Sequence, residues 1–174
     1  GRNSIPIAQH FADKNFLIDC VDFLEIAIEK LEEYSKQFGV NESIVPYKRA
    51  IEDFKITENS YDLIIAISAL EHAATLQDFI EVLGKIKCGI KRNGVICLVI
   101  NTDVVETDIQ SGRLLEAQFE VNLSTVDMKD LLSKTFSNFN ILKSTVVPQE
   151  YAIKRNDNDV LISTKVVTYV IQKL

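Results

Sequence analysis

Several features that mark whole classes of protein are scarce or missing in this sequence. Its 174 residues include three cysteines and two histidines, and no apolar run approaches the ~20 residues that a membrane-spanning helix needs. The cysteines are widely spaced, without a CxxC pair or a neighbouring histidine, which argues against a zinc motif and a disulfide-stapled domain. We therefore expect no bound metal, no membrane association, and a reducing, cytoplasmic setting.

The charge balance is acidic, with 19 lysines and arginines against 25 aspartates and glutamates, a net charge of −6. An acidic chain with scattered lysines is a poor partner for a nucleic acid backbone. The length and the 47% hydrophobic content suit a globular domain with a sizeable core. We predict a single domain over residues 1–174 and no nucleic acid partner, and the sequence does not indicate an oligomeric state.

The first third of the chain alternates short apolar runs with amphipathic stretches. We predict helices over residues 3–12 and 24–38, the second ending at Gly39, and strands over residues 16–21 and 44–48. Such alternation is typical of α/β proteins with a parallel sheet.

The rest of the chain continues this pattern and then changes character. The apolar runs 63–67 and 95–100, the second after an Asn93-Gly94 turn, predict central parallel strands. Thr75 with Asp78 and Ser124 with Asp127 predict two capped helices. For residues 103–123 we predict a loop or small insertion. Two β-rich runs, 141–153 and 160–171, flank the polar residues 155–159 and predict an antiparallel hairpin.

Four short motifs accompany this order of elements: Gly1-Arg2-Asn3-Ser4, Val21-Asp22, Tyr61-Asp62-Leu63-Ile64-Ile65 and Leu70-Glu71-His72. With these motifs and the final hairpin, the chain resembles the class I S-adenosylmethionine-dependent methyltransferases, and among them the tellurite-resistance methyltransferase group. The resemblance implies a Rossmann-like, three-layer α/β fold. It also implies a mostly parallel sheet with an antiparallel C-terminal hairpin, and S-adenosyl-L-methionine as cofactor.

Gly1 matches the last glycine of the loop that follows the first strand in this family. The resemblance therefore implies that the first strand and the earlier glycines are missing, and we expect the chain to be N-terminally incomplete. That strand is central in the family's sheet, and without it the neighbouring strands have unpaired edges.

The first three residues are candidates for binding the cofactor. Gly1 lets the backbone approach a ligand closely, because it has no Cβ. Arg2, Asn3 and the free N–H groups of the following helix suit the methionine carboxylate. The alternative is an ordinary turn with a solvated arginine.

Asp22 and Phe23 follow the predicted strand 16–21. An acid at this position can bind both ribose hydroxyls, as the resemblance implies, and Phe23 would lie against the adenine. Asp22 is equally suited to be a helix N-cap.

The adenine contact departs from the family pattern, because Ala50 stands where many members have an aspartate. The amide of Ile51, or the carboxylates of Glu52 and Asp53, would then serve the adenine ring. The two carboxylates are equally plausible as solvated loop charges.

Ser68 follows the strand 63–67, where the resemblance places the sulfonium end of the cofactor. His72 is the candidate catalytic residue, because an imidazole can orient an acceptor or take its proton. The alternative is that His72 caps the loop or packs beside Glu71. Within residues 103–123, candidates for acceptor contacts, or solvated loop residues, are Glu106, Asp108, Arg113, Glu116 and Phe119.

The implied function is methyl transfer to a small-molecule acceptor by in-line displacement, in which the protein supplies mainly proximity and alignment. The alternative is a non-catalytic module that keeps the fold and binds the cofactor. A nicotinamide-dependent oxidoreductase fits less well, because the terminal hairpin has no place in that fold.

Overall fold

The computed structural model of the chain describes residues 1–156 and 158–174, and Asp157 of the predicted hairpin turn lies outside them. The chain divides into two compact units, Gly1–Lys55 and Ile56–Leu174, which are described one at a time. The single domain over residues 1–174 stays a prediction.

The first unit contains a parallel strand pair with two helices. Its elements are α1 (Ser4–His10), β1 (Ile18–Asp22), α2 (Glu25–Gln37), a 3₁₀ turn (Asn41–Ser43) and β2 (Ile44–Lys48). The predicted helices and strands are confirmed to within two residues at each end. Gly39 follows α2 with φ +66°, the left-handed conformation that commonly ends helices.

The core of the first unit joins both helices to the strand pair. Its buried members and the apolar side chains packed around them are Ile5, Ala8, Leu31, Val40, Ile44, Phe16, Ile18 and Cys20. Ile5 and Ala8 of α1 and Leu31 of α2 therefore pack against the strand pair.

The second unit contains β3 (Tyr61–Ile67), a 3₁₀ turn (Leu70–His72), α3 (Leu76–Gly89), β4 (Ile90–Asp108), β5 (Leu114–Leu115), α4 (Thr125–Thr135), β6 (Phe139–Arg155) and β7 (Asn158–Lys173). Both predicted caps are confirmed. The Asp78 N–H donates to Thr75 Oγ1 and the Asp127 N–H to Ser124 Oγ, each at 3.1 Å.

The sheet of the second unit is mixed, with strand order β3-β4-β7-β6 and β5 beside β4. Only β3 and β4 pair in parallel, while β4–β5, β4–β7 and β6–β7 are antiparallel. The α/β class and the terminal hairpin are confirmed, but a mostly parallel sheet is wrong, and the elements show no clear three-layer arrangement. The three longest strands, β4, β6 and β7, have 19, 17 and 16 residues, and β7 pairs antiparallel with the other two. Antiparallel pairing therefore makes up most of the sheet.

Two local predictions about the strands are also corrected. β3 stands at the end of the strand order, with one partner among the described strands, so Leu63, Ile65 and Ile67 keep exposures of 43%, 36% and 40%. Asn93 does not end a turn before β4. It lies inside β4 with φ +63°, where the pairing with β3 shifts register.

Most of the fully buried side chains of the second unit come from α3, α4, β4 and β7. The largest of them include Phe79, Leu83, Ile86, Ile96, Leu98, Ile100, Met128, Leu132, Phe136 and Ile171. Within residues 1–156 and 158–174, no helix has the length and apolar character needed to cross a membrane.

Candidate functional site

The first unit brings Asp22 and the predicted adenine loop to one edge of its strand pair. Asp22 ends β1 opposite Lys48, the last residue of β2, and the Arg49 N–H donates to the Asp22 carbonyl at 2.9 Å. The loop that holds Ile51 and Glu52 begins directly after this contact. In open parallel sheets ligands bind at this carboxyl edge.

The Asp22 carboxylate is half-buried, and its Oδ1 accepts the Leu24 N–H at 3.0 Å. This contact braces the chain just before α2, but the N-cap of α2 is Leu24 and no side chain among the described residues caps the helix there, so the alternative of Asp22 as the N-cap is wrong. The ribose role of Asp22 stays a prediction. Phe23 points away from the core, with 62% of its surface exposed.

Gly1 and Asn3 belong to the first turn that leads into α1. Their carbonyls accept the N–H groups of Ile5 and Ile7, at 3.2 and 3.3 Å, and Arg2 between them is exposed. A Cβ at Gly1 would lie 2.8 Å from Ile5 Cδ1, the end of a side chain that would have to shift.

A hydrogen bond ties this turn to β1, close to Asp22. Burial raises the pKa of the Cys20 thiol, while a hydrogen bond with the Ser4 side chain opposes that rise. Cys20 precedes Asp22 by two residues. The glycine turn and the acid of the predicted cofactor site therefore approach the same strand.

In the second unit, Ser68 directly follows β3 and has φ +47°, in the left-handed region that non-glycine residues seldom adopt. Its N–H donates to the Val99 carbonyl at 2.8 Å, and its Oγ accepts from Asn101 Nδ2 at 3.2 Å. The side chain is exposed at the carboxyl end of the strand.

Glu71 is a buried carboxylate whose role the sequence did not reveal. Its Oε1 accepts the Asn101 N–H at 3.1 Å and Nδ2 at 2.6 Å, while Oε2 has no hydrogen-bond partner among the described residues. The Glu71 carbonyl accepts the Val121 N–H at 3.0 Å. No local signal in the sequence marks this burial, because the partners of Glu71 lie 30 or more residues away.

Replacing Glu71 by alanine should destabilise the protein by about 2–3 kcal/mol, because two buried donors of Asn101 lose their acceptor. The glutamine variant keeps an acceptor oxygen for Asn101, so its loss should be less than half as large. Urea denaturation followed by circular dichroism measures both. Equal losses for the two variants would show that the Asn101 contacts are not what Glu71 contributes.

His72 lies in the 3₁₀ turn after β3 and is partly exposed. Its Nδ1 lies 3.0 Å from Glu120 Oε2, within hydrogen-bond distance, and its ring stacks on Phe119 with centroids 5.2 Å apart. A hydrogen bond from the Glu120 backbone N–H holds the pKa of the Glu120 carboxyl below its usual value, and the hydrogen bond with His72 lowers it further. Phe119 was a predicted acceptor contact, whereas Glu120 was missed because nothing local links it to His72.

Part of the segment 103–123, predicted as a loop, is extended strand, because β4 continues to Asp108 and β5 follows at Leu114–Leu115. Glu106 is wholly buried and paired with Arg155, so it cannot contact an acceptor from solvent. Asp108 accepts the Ser111 N–H at 2.7 Å, which stabilises a turn. Arg113 and Glu116 are exposed.

No group of three or more histidine, cysteine, aspartate or glutamate side chains is arranged as a metal site in the part of the chain that the structure describes. Each unit has its own candidate groups. The first unit has the Asp22 carboxylate and the backbone amides of the loop after β2, and the second unit has the Ser68 hydroxyl and the His72 imidazole.

Solved structures show what this arrangement resembles. TehB from Haemophilus influenzae, a tellurite-resistance methyltransferase, matches with a TM-score of 0.69 at 15% identity, over 92% of this chain and 51% of that one. An S-adenosylmethionine-dependent methyltransferase from Methanosarcina mazei matches with a TM-score of 0.66 at 13% identity, over 98% and 86%. This chain thus spans about half the length of TehB.

A third match is the 1,6-didemethyltoxoflavin-N1-methyltransferase of Burkholderia thailandensis, solved with S-adenosylhomocysteine. Its TM-score is 0.59 at 12% identity, over 95% of this chain and 64% of that one. No family model and no curated protein matches the sequence. The predicted resemblance is confirmed at the level of the fold: the chain has the Rossmann-like fold of S-adenosylmethionine-dependent methyltransferases.

Proposed function

We propose that the protein binds S-adenosyl-L-methionine and transfers its methyl group to a small-molecule acceptor. The observation that carries this proposal is the fold shared with such methyltransferases over more than 90% of the chain. The placement of Asp22 and the β2 loop at one carboxyl edge supports it. We further propose that the protein is cytoplasmic and that all 174 residues act as one domain.

The first unit has groups that fit the adenosine part of the cofactor. The Asp22 carboxylate is fixed by the Leu24 N–H through one oxygen, so its orientation is set before any ribose binds. The exposed ring of Phe23 offers an apolar face for adenine. The amide of Ile51 or the carboxylate of Glu52 is proposed to bind the adenine edge.

The residues proposed for the amino acid part and for the transfer itself are fewer. Gly1, Arg2 and Asn3 would bind the carboxylate at the α1 turn, and Ser68 would lie near the sulfonium end. The cofactor supplies an activated methyl group, so the protein has mainly to align the acceptor. His72 is the proposed catalytic residue.

A test of the cofactor is isothermal titration calorimetry of S-adenosylhomocysteine with the full-length protein. We expect saturable binding with one site per chain, and none for NAD⁺ at the same concentration. Absence of S-adenosylhomocysteine binding at high-micromolar concentrations would contradict the proposal.

A second candidate function is cofactor binding without methyl transfer. The observation in its favour is Ala50, which supplies no acid for adenine where many methyltransferases have one. Incubation with radiolabelled cofactor and a panel of thiols, oxyanions, phenols and amines distinguishes the two. Labelled product from any acceptor excludes the non-catalytic module.

A further inference from the structure

Residues 118–123 form a segment that lies against His72 and is anchored at both ends. At its start, the Gln118 N–H donates to the buried carboxylate of Glu106 at 2.9 Å. At its end, Val104 and Asn122 exchange two hydrogen bonds, at 2.9 and 2.8 Å. The backbone of the segment is therefore held to β4 on either side of Glu120.

Alternation within the segment decides where Glu120 lies. Phe119 packs on the apolar cluster around Val104, and Val121 is only 3% exposed. The Val121 N–H donates to the carbonyl of Glu71, the residue next to His72. Glu120, between two inward side chains, is half exposed and faces His72, with its carboxylate 3.0 Å from Nδ1.

The hydrogen bond between the side chains of His72 and Glu120 determines which imidazole nitrogen carries the proton. An ionised carboxylate can only accept, so the proton between His72 Nδ1 and Glu120 Oε2 belongs to Nδ1. In the neutral imidazole Nε2 is then the unprotonated nitrogen. The stacked ring of Phe119 fixes the imidazole plane.

We infer that Glu120 is a positioning residue that keeps His72 in the Nδ1–H tautomer, leaving Nε2 to take the proton of a protic acceptor. The acceptor class is therefore a neutral compound with an ionisable O–H or N–H group. This inference rests on the proposed methyl transfer.

The acceptor's proton passes to His72 Nε2 while the acceptor's lone pair forms a bond to the methyl carbon. The carbon–sulfur bond breaks, and its electron pair remains on sulfur as a thioether. The imidazolium then returns its proton to water. An acceptor that is already anionic, such as tellurite, needs no such base.

The tautomer can be measured directly, because the protein has only two histidines, His10 and His72. In ¹⁵N-labelled full-length protein at alkaline pH, two-bond ¹H–¹⁵N correlations distinguish the two tautomers, and His10→Gln assigns the signals. We expect His72 as Nδ1–H, and a shift toward Nε2–H in Glu120→Ala. Nε2–H in the unaltered protein would overturn the inference.

Activity tests the acceptor class with catechol, benzimidazole and tellurite as probes. We expect turnover of a protic probe, with kcat falling about a hundredfold in His72→Gln and about tenfold in Glu120→Gln at unchanged KM. Glu58→Gln, which changes an exposed carboxylate elsewhere in the unit, is the matched control and should have no effect.

Methylation of tellurite alone, or an unaltered kcat in Glu120→Gln, would overturn the acceptor class. Binding of S-adenosylhomocysteine without turnover of any probe would overturn it as well. Failure of S-adenosylhomocysteine to bind would instead refute the proposed function, and the tautomer measurement would still decide whether Glu120 orients His72.

Discussion

Replacing Arg155 by alanine is expected to lower the free energy of unfolding by about 3 kcal/mol. Arg155 is the cation that faces Glu106, whose side chain is completely excluded from solvent. Arg155 is the last residue of β6, and its Nη1 and Nη2 both donate to the carboxylate of Glu106 on β4. Without Arg155, a buried negative charge keeps, among the residues that the structure describes, only the Gln118 N–H as donor.

A double-variant cycle tests this reason for the loss. Adding Glu106→Gln to Arg155→Ala should restore about 1–2 kcal/mol, because the neutral amide removes the unpaired charge and still accepts from Gln118. The matched control is Lys154→Ala, an exposed neighbour that should change stability by less than about 0.5 kcal/mol. Urea denaturation measures the unaltered protein, the two single variants of the cycle, the double variant and the control. No recovery in the double variant would show that pairing of charge is not what Arg155 contributes.

The parts of the fold that sequence predicts well depend on neighbours along the chain. The caps at Thr75 and Ser124 each involve residues three positions apart, and the hairpin follows from two β-rich runs around a polar turn. The 44–48 strand is bounded by turn residues and is confirmed at both ends. In each case the interaction that decides the structure is local.

The errors concern strands whose limits are decided by a partner. β4 continues past Ile100 because β7 offers pairing as far as Asp108, opposite Val160. The polarity of residues 101–108 indicates a loop, yet hydrogen bonds to a distant strand hold them extended. Propensity within a short window contains no information about such pairing.

The same distinction applies to the candidate site. Asp22 and Ser68 follow apolar runs and are recognisable as residues at strand ends. The partners that fix the second unit's site are remote, since Glu120 is 48 positions from His72 and Arg155 is 49 from Glu106. A buried glutamate such as Glu71 also looks like any surface charge until its surroundings are known.

The second large effect is expected at Asp22, where two roles can be separated. Asp22→Asn keeps one oxygen to accept the Leu24 N–H, so the stability of the protein should change by less than about 0.5 kcal/mol. The variant loses the charge and one of the two oxygens that would bind the ribose hydroxyls. Its affinity for S-adenosylhomocysteine should fall by about 2 kcal/mol, roughly thirtyfold in Kd.

Comparison with Asp22→Ala and a surface control makes the distinction sharp. The alanine variant should lose about 1 kcal/mol of stability as well as the affinity, because it removes the acceptor for Leu24. Asp13→Asn, an exposed acid in the same unit, should alter neither quantity. Calorimetric titration and urea denaturation on each variant give the two values. If Asp22→Asn binds S-adenosylhomocysteine as tightly as the unaltered protein, Asp22 braces the start of α2 and does not bind ribose.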